Sequence, residues 1–127
     1  MQSRNPESIH APLGPYTHQI ELESTGRVLA LAGQVGMKPD GQIPDSAADQ
    51  LEAALDNVLA NLEAAQMSAP DLVKLTIYVT EQIDREQRAR VLGEKLAGHA
   101  PCMTYLVVAG LAAPPLKVEV DAWASAR

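Results

Sequence analysis

Residues 100–124 read Ala100-Pro101-Cys102-Met103-Thr104-Tyr105-Leu106-Val107-Val108 and, after a loop, Leu116-Lys117-Val118-Glu119-Val120-Asp121-Ala122-Trp123-Ala124. Both runs alternate in character and are rich in β-branched residues, the pattern of a half-buried strand. The loop between them, 110–115, is punctuated by Gly110, Pro114 and Pro115. Strand side chains alternate between faces, so Val118, Val120 and Ala122 share one face and Glu119, Asp121 and Trp123 the other. Two carboxylates and the single tryptophan thus occupy a face that a one-sided sheet would leave in water, and function is expected there.

Upstream, residues 72–80 alternate in the same way: Val73, Leu75, Ile77 and Val79 against Lys74, Thr76 and Tyr78. Residues 16–23 and 27–35 read as two strands forming a hairpin around Ser24-Thr25-Gly26. Gly33 interrupts the second of these, which leaves open either a bulge or a close approach of something to the backbone. Between these strands, a loop over 36–44 with a Pro39-Asp40-Gly41 turn leads to a helix starting near Asp45 or Ser46. Leu51, Leu55, Val58, Leu59 and Leu62 give that helix one apolar stripe, while Glu52, Asp56, Asn57, Asn61 and Glu63 read as its solvated face. A second helix is predicted over 84–98, with Asp84 as cap, Gln87 placed to bond back to it, and Val91, Leu92 and Leu96 as its stripe. Its Arg85, Arg88 and Arg90 read as solvated. The first fifteen residues are loop-like, broken by Pro6, Pro12, Gly14 and Pro15.

This order predicts one domain over 1–127, an α+β layout with both helices on one side of a mixed sheet. Two helices cover one face only. The other, expected to carry Thr76, Tyr78, Glu119, Asp121 and Trp123 together with Leu29 and Leu31, mixes apolar and charged groups and predicts an oligomer whose sheets face one another around an axis. The formal net charge of −6, without a basic run, argues against a nucleic-acid partner. The lone Cys102 fits a reducing compartment and reads as a small apolar group. The polar start and the lack of any membrane-length apolar run predict a cytoplasmic protein without a membrane partner. His10, His18 and His99 are scattered, so neither a metal nor another cofactor is expected.

Distributed along the chain are Ala11-Pro12-Leu13-Gly14-Pro15-Tyr16, Ala32-Gly33-Gln34, Gln50, Asn57-Val58, Leu62-Glu63-Ala64-Ala65, the run from Asp71 to Val79, Pro101, and Lys117-Val118-Glu119-Val120. In order and spacing these resemble the RidA family, also called YjgF or the reactive-intermediate deaminases. The resemblance implies a chorismate-mutase-like α+β fold, a homotrimer with a central β-barrel, and small-molecule clefts between subunits. It further implies hydrolysis of reactive enamines and imines to ketoacids and ammonia. By position, Tyr16 would wall the cleft, the Gly33 backbone would contact the ligand, and Glu119 would position or activate the attacking water.

The family's Pro-Ala-Arg-Ser is here Pro101-Cys102-Met103-Thr104, so this is a divergent member lacking the arginine that clamps a substrate carboxylate. A guanidinium makes a bidentate charge-assisted pair, whereas a thioether has no donor. Its loss removes on the order of a few kcal/mol of binding, so the usual 2-imino acids are predicted to be poor substrates. Three readings follow. Met103 and Tyr105 form an apolar wall for an imine without a carboxylate there, with Glu119 as general base; or another cation substitutes, from Arg88, Arg85, Lys117 or His18; or the trimer only binds or regulates. Glu119 could also merely pair with Lys117, and an endoribonuclease role fits an acidic chain poorly.

Overall fold

A computed structural model describes residues 1–23 and 26–127. The elements are β1 (Gln2–Arg4), β2 (Gln19–Glu21), β3 (Arg27–Val35), α1 (Ala47–Ala64), β4 (Leu72–Val79), α2 (Arg85–Lys95), β5 (Cys102–Val107) and β6 (Val118–Ala126). β1 and β2 form a small antiparallel pair, and the main sheet runs β3-β6-β4-β5. β6 is antiparallel to both neighbours, while β4 and β5, joined through α2, are parallel.

The helices start where the sequence predicts. The Ser46 hydroxyl accepts a bond from Asp49 N at 3.1 Å, and Asp84 Oδ2 accepts one from Gln87 N at 3.1 Å, each satisfying an amide that the first turn leaves orphaned. α1 ends in a Schellman closure: Gln66 is left-handed with φ 59°, its N–H reaches the Glu63 carbonyl, and the Met67 N–H reaches Leu62. α2 is shorter than its predicted span because the chain turns left-handed at Ala97 and Gly98. Lys95 bridges the helices, 2.7 Å from Asp56 and 3.4 Å from Glu52, and the bond to Asp56 raises its pKa above the ordinary lysine value.

Leu51, Leu55, Val58 and Leu62 of α1 and Val91 and Leu92 of α2 join Leu75, Ile77, Val79, Val118, Val120, Ala122 and Ala124 in one buried core on one face of the sheet. Glutamine 50 is wholly buried within it. Its amide donates to the Pro44 and Pro115 carbonyls and accepts from Lys117 N, so α1 is tied to the start of β6 with every polar atom bonded. Asn57 is not idle surface: its amide donates to the Val35 and Met37 carbonyls and holds the exit of β3. Gly36 lets that exit pass against α1, since a side-chain carbon there would lie 2.7 Å from Gln50 Cα.

Several details differ from the sequence reading. β2 covers three residues and pairs with β1 instead of forming a hairpin with β3; Arg4 fixes that pair by bonding across to Gln19 and Glu21. Ser24 and Thr25 of the predicted turn lie outside the described residues. In β4 it is Leu72, not Val73, that enters the core, because the register with β6 shifts between Leu72 and Lys74. Leu29 and Leu31 oppose Ala124 and Ala122 and pack on the helix side; Val28 and Ala30 take the bare face instead.

Candidate functional site

The residues singled out by sequence fall into two groups on opposite sides of the sheet. In the parallel β4–β5 pair, Met103 lies beside Leu75 and Tyr105 beside Ile77, so both point to the helix side. There they line a cleft of about 510 Å³ together with Tyr16, the Leu13-Gly14-Pro15 loop, Ile77, Leu92 and the guanidinium-bearing Arg85 and Arg88. Proline punctuation keeps residues 11–16 out of regular structure, and local bonds fix their path. The Tyr16 hydroxyl accepts from Leu13 N at 3.2 Å, Tyr16 N donates to the Gly14 carbonyl, and Thr17 N donates to the Pro101 carbonyl, which lays the loop along the start of β5.

Tyr105 is held by its hydroxyl, which accepts from Ile83 N at 3.2 Å and donates to Gln82 Oε1 at 3.3 Å. Over its ring, 3.9 Å from the centroid, lies the Arg88 guanidinium. Arg85 donates to the Leu13 carbonyl at 2.9 Å. Two of the three arginines read as solvated therefore face the cleft, and only Arg90 lies off it. Their spacing held the signal: residues three apart on a helix share a face, and Arg85 and Arg88 obey that rule.

Glu119 and Gly33 are together on the other side. The register of β3 against β6 shifts between Leu31 and Gln34, which puts a bulge at Ala32-Gly33. The Glu119 side chain folds over that bulge, so a carbon added to Gly33 would sit 2.7 Å from its Cδ and 3.0 Å from its Cγ. Both readings of Gly33 thus hold at once. Lys117, the other partner considered for Glu119, is paired with Glu81 at 2.9 Å.

Along the same face Tyr78 neighbours Glu119 across the strands, and its hydroxyl donates to Asp121 Oδ2 at 2.9 Å. That bond first, then burial and the negative charges of Asp121 and Glu119, raise the Tyr78 pKa above the ordinary tyrosine value. Lys74 reaches the Thr104 hydroxyl. Trp123 and Val28 stand 51% and 58% exposed, and Leu106, next to Tyr78 on the edge strand β5, is exposed as well.

A larger cavity of about 780 Å³ lies along the polar side of α1, between Lys38, Asp40, Asp49, Glu52, Asp56 and Asn57, and contains none of the candidate residues. His10 and His18, 8 residues apart, meet edge to face with centroids 5.1 Å apart, His18 Nε2 bonding to the His10 carbonyl. Among the described residues no group of three or more His, Cys, Asp or Glu is placed to hold a metal ion, and no helix is long and apolar enough to cross a membrane.

Residues 7–126 match the model of the endoribonuclease L-PSP family. The sequence is 32% identical over 118 residues to a RutC family protein of Pyrococcus horikoshii, across 91% of this chain and 90% of that one. It is 35% identical over 79 residues to the 2-iminobutanoate/2-iminopropanoate deaminase of Escherichia coli K12, an alignment that spans 61% of this chain and 59% of the deaminase. Among solved structures, a Yersinia pestis protein of unknown function from the conserved Rid family superposes with a TM-score of 0.83 at 28% identity, over 97% of this chain and 96% of that one. The YjgF gene product of E. coli superposes with a TM-score of 0.72 at 30% identity over the whole of both chains.

Proposed function

The chain belongs to the endoribonuclease L-PSP family, the RidA/YjgF group, and from that membership and its site geometry we propose that it hydrolyses a reactive imine or enamine, with a substrate range altered at Met103. The observation that carries the reading is the Glu119 carboxylate folded over the Gly33 bulge. A carboxylate fixed beside irregular backbone can hold a water and take its proton while the oxygen attacks the imine carbon. The C–N bond then breaks, the nitrogen leaves as ammonia, and a carbonyl compound remains.

Tyr16, Met103 and Tyr105 open on the helix side, whereas Glu119 and Gly33 open on the bare side, so one chain does not present both halves to one ligand. We assign the joint site to a seam in a homotrimer, where one subunit supplies the walled cleft and the next supplies Glu119. The exposed Trp123, Val28 and Leu106 on the bare face support that assembly, because apolar area of this kind is stabilised by burial. A second reading rests on Met103 itself: without a donor at that position the trimer would bind a ligand and not turn it over.

The test is ammonia release from an imine generated in place. The protein should accelerate it, and Glu119→Gln should lower the rate by about 10²- to 10⁴-fold, the usual effect of removing a general base. No acceleration with any imine, beside saturable binding of a small ligand, overturns the first reading in favour of the second.

A further inference from the structure

Arg88 is a cation in an unusual setting. It is half-buried, its guanidinium lies 3.9 Å from the Tyr105 ring centroid, and among the described residues no carboxylate stands within salt-bridge distance of it. Arg85, the other cation of the cleft, is bonded to the Leu13 carbonyl, and Lys117, off the cleft, is paired with Glu81. The Arg88 guanidinium carbon sits over the ring, and among the described residues no side-chain hydrogen bond or ion pair takes up its N–H groups, which suit a bidentate anion. The hydroxyl of that ring is bonded to Ile83 N and Gln82, which positions it. Beside it the wall is apolar, from Leu13, Ile77 and Met103.

We propose that Arg88 is the specificity-determining residue of this cleft and that it selects ligands bearing a carboxylate on an apolar body. The inference rests on the reading of the cleft as the ligand site. Anion recognition is thereby moved from β5, where Met103 offers no donor, to α2.

The experiment follows binding and not turnover. Methyl-labelled methionine is introduced into the full chain, and the Met103 resonance is followed during titration with 4-methyl-2-oxopentanoate and, separately, with its methyl ester. The acid should shift the Met103 signal saturably and bind about 10- to 100-fold more tightly than the ester, the range of a charge-assisted pair. Arg88→Met, which keeps the apolar stem, should bring the acid to the ester's affinity. Arg90→Met, which removes the same charge from the same helix away from the cleft, should leave it unchanged.

Equal binding of acid and ester, unchanged acid binding in Arg88→Met, an equal loss in Arg90→Met, or no movement of the Met103 signal each overturns the proposal. Acid binding through Arg88 in a protein that hydrolyses no imine removes the proposed activity and leaves this inference standing. Imine hydrolysis with acid binding indifferent to Arg88 does the reverse.

Discussion

The carboxylate of Glu119 lies directly over Gly33, in space that any side chain at position 33 would fill. Two strands that are neighbours in the sheet thereby seat a carboxylate through the absence of a methyl. The backbone conformation of Gly33 makes no special demand for glycine; the demand is one of room.

Gly33→Ala is expected to push the Glu119 carboxylate out of position, because a carbon 2.7 Å from Cδ must displace a side chain that can still rotate. Stability should fall by only about 1 kcal/mol, while imine turnover falls as far as in Glu119→Gln. Adding Glu119→Ala removes the clash, so the double variant should melt higher than the sum of the single effects allows. Full activity in Gly33→Ala would show that Glu119 does not act from this position.

Gln50→Leu keeps roughly the volume of the buried amide and deletes its three bonds, to Pro44, Pro115 and Lys117. The backbone groups left behind are orphaned, at about 1–3 kcal/mol for each one that stays dry. Chemical denaturation should register a total loss of about 3 kcal/mol, and a neutral result would mean that water replaces the amide.

Asp121→Asn removes the charge that holds the Tyr78 phenol protonated. A folded-state pKa raised above 10.0 contributes stability in full below that value and loses it as pH rises through the shifted one. In the variant Tyr78 should ionise at a lower pH in an alkaline tyrosinate titration, and the denaturation midpoint should fall less between neutral and strongly alkaline pH. An unmoved titration would refute the coupling.

Met103→Arg returns a forked donor to β5 and places a third guanidinium beside Arg85 and Arg88. Hydrolysis of 2-imino acids is expected to rise by about 10- to 100-fold in kcat/KM. No gain would mean that the remaining wall no longer presents the reacting carbon to the water.

Alternation and capping made most of the main sheet and both helices legible, because Val118, Val120, Ala122 and the Leu51–Leu62 stripe announce their faces by period alone. The errors fell where period is interrupted. A bulge at Leu72–Lys74 moved Val73 out of the core, and strand order moved Leu29 and Leu31 to the helix side, which no local pattern encodes. At the site, Tyr16 and Met103 could be named from family position and Tyr105 from its place two residues after Met103, yet the face that the two strand residues occupy depends on the parallel register with β4. The stacking of Arg88 on Tyr105 joins an α2 residue to a β5 residue across a crossover, a long-range contact that helical spacing could only suggest.

The strand order also governs how the molecule is made. A ribosome delivers β3, α1 and β4 well before residues 118–126, the strand that lies between β3 and β4. Until then the nascent chain carries raw hydrogen-bonding edges on both strands it will later clasp, and the sheet closes only through contacts distant in sequence. Translation pauses just ahead of Val118 therefore prolong the aggregation-prone interval, while pauses inside α1 leave no half-built sheet exposed.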